Sequence, residues 1–294
     1  MANSIALVSK FQPILDEIYK RESLTARMDA LTKPVDFGGA NEVKIYKTSM
    51  VGMGTYSRSA GYPVGDVTGA WETIALAAER GRAFFIDRMD DEETMGMAFG
   101  TLAGEFIRTQ VVPEVDAYRF AKFASWSGVG AATPADLTTA AGVLAAVDVA
   151  SGVLDAAEVP SEGRLLYIAS SKYRLLTAAV TRSLSNEGTF DRRLQMLDEM
   201  TVIPVPQGRF YTAISLNAGA TSSAGGFAKT GSDLNFILLH PSAREQATKL
   251  ASLKIFDPDA NQTADGWLVQ YRLYHDAWVY DNKLAGIYVH AHTS

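Results

Sequence analysis

Five oxygen-bearing side chains recur at every second position from residue 257: Asp257, Asp259, Asn261, Thr263 and Asp265. That spacing matches the odd ligand positions of a calcium-binding hand loop. Such a loop needs glycine for its sharp turn and a bidentate carboxylate at its end, and here Gln262 and Leu268 stand at those places. The run therefore reads as a polar loop. His290 and His292 share one face of a strand, but two imidazoles do not complete a metal site. Gly128-Val129-Gly130 with Thr133 resembles a shortened dinucleotide fingerprint. Its third glycine is missing and it follows a helix, so it reads as a hinge between two units. Neither a phosphate-binding GxxxxGK[ST] loop nor a GxSxG nucleophile elbow occurs. The remaining cluster is the mixed-charge run Glu79 to Glu93, holding Arg80, Arg82, Asp87, Arg88, Asp90, Asp91 and Glu92. Charge of both signs at the junction of a hairpin and a helix favours ion pairs at an interface over acid–base catalysis.

Composition points the same way. The 294 residues include no cysteine and only four histidines, His240, His275, His290 and His292. Disulfides, cysteine–zinc sites, thiol catalysis and iron–sulfur ligation are excluded together. There are 27 Lys and Arg against 33 Asp and Glu, a net charge of −6, so a globally basic nucleic-acid binder is excluded. With 47% hydrophobic residues the chain can bury a full core. No catalytic residue, metal or cofactor is expected. The N-terminus lacks the basic and apolar regions of a signal peptide. Leu137 to Leu154 carries a single charge, Asp148, but its small-residue composition reads as a soluble helix with Thr133 as N-cap rather than a membrane span.

The elements that must position these residues follow from periodicity. Phe11, Ile14, Leu15 and Ile18 fit one helical face in an N-terminal arm. Val43 and Ile45 begin a strand, a glycine-rich passage follows, and Trp71 to Asp87 returns. This is a long two-stranded excursion, marginal alone, and its Tyr56, Tyr62 and Trp71 need cover that no nearby segment supplies. A helix is expected from about Asp91 to Ser125, kinked at Pro113. Beyond it the reading is helix 134–157, strand 165–169, helix 171–184, strands 202–205 and 234–239, helix 241–251, and a closing pair of strands around Asp281-Asn282-Lys283.

The phrases ETIALAAERGRAFFIDRMDDEET, AGEFIRTQVVPEVDAYRFAKFA, VPSEGRLLYIASSKYRLL and YRLYHDAWVYDNKLAGIYVHA, in that order, resemble the major capsid protein of tailed bacteriophages over nearly the whole chain. The resemblance implies an α+β fold with an N-terminal arm (1–42), an E-loop (43–88) and a peripheral domain (89–127 and 265–294) holding a long spine helix. The axial domain would span 128–264. It implies hexamers and pentamers of this chain in an icosahedral virion shell around double-stranded DNA, assembled in the bacterial cytoplasm. The implied partners are other copies, a portal protein, a decoration protein in some shells, and DNA held by weak non-specific contact; no membrane is involved. About 90 residues precede the spine helix and arm plus E-loop use them all, so a separate scaffolding protein is expected. Some relatives cross-link through an E-loop lysine; none stands between Lys47 and Lys122, so no such bond is expected. Subunit contacts are expected at Tyr56, Arg58, Trp71, Arg80, Arg82, Asp87, Arg88, Glu92, Glu93 and Asp116, with Arg80, Arg82 and Arg88 meeting carboxylates of neighbours. The alternatives are an encapsulin-like shell enclosing enzymes and, less favoured, an α/β enzyme or ligand-binding protein built on 128–264.

Overall fold

The computed structural model describes residues 23–29, 42–59, 61–93, 97–180, 194–221, 224–261 and 264–293. The expected helix around Phe11 to Ile18, and most of the N-terminal arm, lie outside these residues. Three strands make the centre: β5 (Leu165–Ala169), β10 (Leu234–Leu239) and β13 (Ile287–Ala291). Nearly every residue in them is apolar, as a strand covered on both faces requires. With β4 (Gly130–Ala131), β6 (Met196–Leu197) and β7 (Met200–Val205) they form a six-stranded mixed sheet of order β4-β13-β10-β5-β7-β6.

Side chains alternate across a strand, so each strand feeds two cores. Leu165, Tyr167, Ile237, Leu239, Ile287 and Val289 point to one face, where Phe120, Phe123 and Phe210 pack on them. Leu166, Ile168, Phe236, Leu238 and Tyr288 point to the other. There α5 (Ala140–Ala156) supplies Val143, Val147, Ala150 and Leu154, and α6 (Ser170–Ala179) supplies Leu176. The fold is α+β, as expected.

The spine is a composite: α2 (Arg88–Glu93), α3 (Met97–Phe106), a π-helical segment (Ile107–Val111) and α4 (Val112–Ser125). From residue 97 to residue 125 it spans roughly 40 Å. The π turn is the answer to Pro113. In an α-helix its ring would strike the carbonyl of residue 109 and no N–H would reach that oxygen. The wider turn instead lets Val112 N–H donate to the Ile107 carbonyl. The expected kink is thus a local change of helix type.

A second sheet of order β11-β12-β3 lies beside the spine, built from β3 (Ala78–Asp87), β11 (Arg244–Phe256) and β12 (Gly266–Val279). Phe106 of α3 packs edge-on against Phe84, centroids 4.7 Å apart. A free hairpin pairs β1 (Glu42–Met50) with β2 (Val67–Ala75), from Glu42↔Ala75 to Met50↔Val67. A small pair, β8 (Ile214–Leu216) and β9 (Phe227–Lys229), stands apart.

Four expectations are corrected. Helix 134–157 begins only at Ala140, with Thr139 rather than Thr133 as N-cap. The amides of Ala132 and Ala135 are already committed to the Val289 and Ala291 carbonyls. Helix 241–251 is a short 3₁₀ turn followed by β11, whose pairing with β12 overrides a helix-favouring composition. The closing strands are no hairpin: β12 joins the sheet beside the spine, whereas β13 joins the central sheet. Gly130 is no hinge, because it pairs in parallel with Tyr288.

Helix α1 (Ala26–Asp29) and the residues before it are stitched to the body by one carboxylate. Asp116 is fully buried and accepts from Ser23 Oγ at 2.8 Å, Leu24 N at 3.0 Å, Thr25 Oγ1 at 2.6 Å and Arg209 Nη1 at 3.0 Å. Arg119 donates to Thr25 Oγ1, and Arg244 to the Met28 carbonyl. Asp116→Ala should lower stability by about 3–5 kcal/mol, because the buried Arg209 guanidinium loses its carboxylate counter-charge. Asp116→Asn should cost less. Urea denaturation reads both, and a loss below about 1 kcal/mol for Asp116→Ala would show that the carboxylate anchors nothing.

Candidate assembly surface

One face of the β1–β2 hairpin meets the body. Val43, Ile45 and Ile74 pack with Ala247, Trp126 and Trp278. The contact ends at Lys47 and Glu72, whose side chains pair at 2.7 Å. Outward of them, the described residues 48–71 are exposed except for Ser57 and Gly61, which are half-buried. Met50, Val51, Met53, Tyr56, Tyr62, Val64, Val67 and Trp71 all stand in solvent. Trp71 is 66% exposed and Tyr56 54%. A monomer rarely leaves so much contiguous apolar surface without a partner.

The exposed rings are arranged in pairs. Tyr46 lies against Trp71 with centroids 5.0 Å apart, and Tyr56 against Tyr62 at 4.9 Å. Gly69 makes the first pair possible, because a Cβ there would overlap the Tyr46 ring. Gly61, at φ +81°, closes the tip, where Ser57 and Gly61 exchange backbone bonds.

The arginines expected at neighbouring subunits have partners in their own chain. Arg80 grips Glu114 of α4 with two bonds, Nε–Oε1 2.6 Å and Nη2–Oε2 3.1 Å. It also donates to the Asn217 and Gly226 carbonyls. Arg82 donates to the Ala224 carbonyl at 2.9 Å. Together they hold the loop between β8 and β9 against β3 and wall a cleft of about 770 Å³ floored by Phe84, Phe106 and Leu273. Arg88 lies within 3.8 Å of Glu92 and 4.0 Å of Asp259, and is half exposed. Asp87 accepts from Met89 N at 3.0 Å, closing the turn into α2. Arg58 and Glu92 are exposed, and Glu93 is the last residue of α2. Asp116 is corrected most sharply: it is an internal anchor, remote from solvent. A loop carbonyl leaves no mark in side-chain composition, so only the glycine-rich run 217–226 hinted at this clamp.

Behind the arginines runs a buried polar layer that the sequence reading missed. Tyr118 donates to Asp276 at 2.9 Å, and its ring meets His275 edge-on, centroids 5.2 Å apart. Burial and the Asp276 charge raise the Tyr118 phenol above its ordinary range. Burial, aided by the Arg119 and Arg80 charges, lowers His275 to about 4, against the opposing pull of Asp276.

A sheet covered on both faces, a long spine, a second sheet and an uncovered hairpin make up one framework, and it is shared with phage capsid structures. In sequence the chain matches no family model and no curated protein. In structure it is similar to a chain of Mycobacterium phage Che8, at TM-score 0.67 and 12% identity, covering 98% of both chains. The capsid structure of cyanophage P-SCSP1u matches at TM-score 0.69 and 12% identity, over 98% of this chain and 93% of that one. The mature capsid of bacteriophage PhiM1 matches at 0.66 and 11%, over 98% and 92%. At these identities the likeness is one of fold. Among the described residues no helix is long and apolar enough to cross a membrane.

His275 provides a test of the layer beneath this surface. Its folded value, about 4, lies below that of an exposed imidazole, so unfolding takes up a proton. The stability gained by keeping it neutral is complete above about pH 6.5 and fades as pH falls toward 4, by about 3 kcal/mol in all. Urea melts from pH 7 to 4 should show a shallower acid limb for His275→Phe than for the natural chain, whatever the offset at pH 7. Parallel limbs would mean that the imidazole is already protonated in the fold.

Proposed function

We propose that this chain is the major capsid protein of a tailed phage, a structural protein with no catalytic role. Copies assemble as hexamers and pentamers into an icosahedral shell that encloses double-stranded DNA. The observation that carries the reading is the hairpin: within its own subunit it is covered only at its root, while the fold is one that capsid chains share. Subunits repeated around a closed shell supply the missing cover many times over. Tyr56, Arg58 and Trp71 belong to that contact. Arg88 and Glu92, exposed and loosely paired, are free to exchange partners with a neighbour, whereas Arg80 and Arg82 shape the surface by holding the 217–226 loop in place.

In this reading residues 42–75 form the E-loop, and the peripheral domain unites the spine with β3, β11 and β12. The axial domain is the central sheet with α5 and α6, so its boundary departs from 128–264 by releasing β11 and gaining β13. A separate scaffolding protein, a portal and, in some shells, a decoration protein complete the partner set. A net charge of −6 keeps attraction to packaged DNA weak, because phosphate neutralisation by Lys and Arg drives non-specific affinity.

Electron microscopy and sedimentation of the purified chain, with and without scaffolding protein, test the reading. Shells of uniform size are expected. Trp71 emission should shift to the blue on assembly, and Trp71→Phe should abolish that shift. Small species that never assemble under any condition would overturn the proposal.

A further inference from the structure

The point at which the hairpin leaves the body is marked by a three-membered ion cluster. Lys47 Nζ reaches Glu72 on the paired strand and Asp281 in the turn between β12 and β13. Glu72 lies within the hairpin, so its bond moves with it. Asp281 belongs to the body, so among the described residues the Lys47–Asp281 bond joins the two parts at this level. Inward lie the apolar contacts of Val43, Ile45 and Ile74; outward, the exposed arm begins. An apolar root is non-directional and tolerates tilting, whereas a charge-assisted hydrogen bond fixes one direction.

We infer that Lys47 and Asp281 form a latch that sets the angle at which the hairpin departs from its own subunit. The hairpin pivots on Val43, Ile45 and Ile74 when the latch opens. The paired carboxylates hold the Lys47 ammonium above its ordinary range, Asp281 first and Glu72 second, so the latch stays charged across physiological pH. Lys47 is a quarter exposed and Asp281 half exposed, and a pair that solvent reaches in this way is weak and screened by salt. A weak latch is reversible, and a hairpin so held can take more than one angle without its root unfolding. Lys47 thereby gains a role other than cross-linking.

The absence of cysteine makes the test direct. Spin labels at Thr55→Cys, near the tip, and Ala145→Cys, on the exposed face of α5, report the hairpin angle in the unassembled chain as a distance distribution. The natural latch should give one narrow distribution. Asp281→Asn and Lys47→Met should each broaden it roughly two-fold, and Asp281→Glu should restore it, all with unchanged circular dichroism. About 1 M salt, where the screening length is about 3 Å, should broaden the natural chain's distribution without any substitution. Identical distributions in all variants and at both salt levels would overturn the latch. No assembly is needed, so this outcome is independent of the capsid reading.

Discussion

The central sheet is buried on both faces, and the rest of the chain is arranged around supplying the two covers. One comes from α5 and α6, close in sequence to β5. The other comes from the far end of the spine, whose Phe120 and Phe123 enter the first core. That one requirement explains the spine's length. Its α4 half serves the central sheet, while Phe106 serves the sheet of β3, β11 and β12. β12 makes the same crossing: Ala277 and Val279 lie in the first core, and Tyr271 meets Phe106 of the spine edge-on. Two elements thus belong to both bodies, and the bodies share their framework. The hairpin receives only what remains at its root, Ala247, Trp126 and Trp278.

Charge follows the same division between inside and outside. Asp116 is buried with a full set of donors, and the residues that open the described chain are organised by it. Arg80 is intermediate, part-shielded and committed to both Glu114 and loop carbonyls. Arg88 sits at the surface, and Lys47, about as shielded as Arg80, reaches out to the half-exposed Asp281, where an ion pair is cheap to break. Strong interactions hold what must not move, and weak ones lie where the chain leaves its own body.

What could be read from the sequence depended on whether local chemistry agreed with long-range pairing. β5 and β10 were legible because a run that is apolar throughout, or broken only by Asn235, has one economical fate. The excursion of 43–88 was legible as unfinished because Tyr56, Tyr62 and Trp71 had no apolar periodicity around them to pack against. The segment after His240 was not legible: Arg244 to Leu250 favours helix locally, and only the partner strand, more than twenty residues later, decides for β. The end of the chain failed similarly, since no local signal tells that β12 and β13 separate into two sheets across a six-residue 3₁₀ segment. At the surface, residue type identified the arginines but not their partners, half of which are backbone oxygens and so invisible in composition.

The exposed arm is not merely uncovered; it is prebuilt. Tyr46 rests on Gly69 and against Trp71, and Tyr56 against Tyr62, before any partner arrives. Each ring has already lost rotamer freedom that binding would otherwise have to remove. Ordering a side chain at an interface costs about 0.5–1.5 kcal/mol, so rings fixed in advance keep more of their burial energy for the contact. A flexible apolar loop of the same composition would lose that advantage and would also collapse onto its own subunit. Strand pairing prevents the collapse by holding the backbone extended, and the Lys47–Asp281 latch aims it. In the assembly proposed above, rigidity within the arm combined with a soft joint at its root would let one sequence meet neighbours set at slightly different angles.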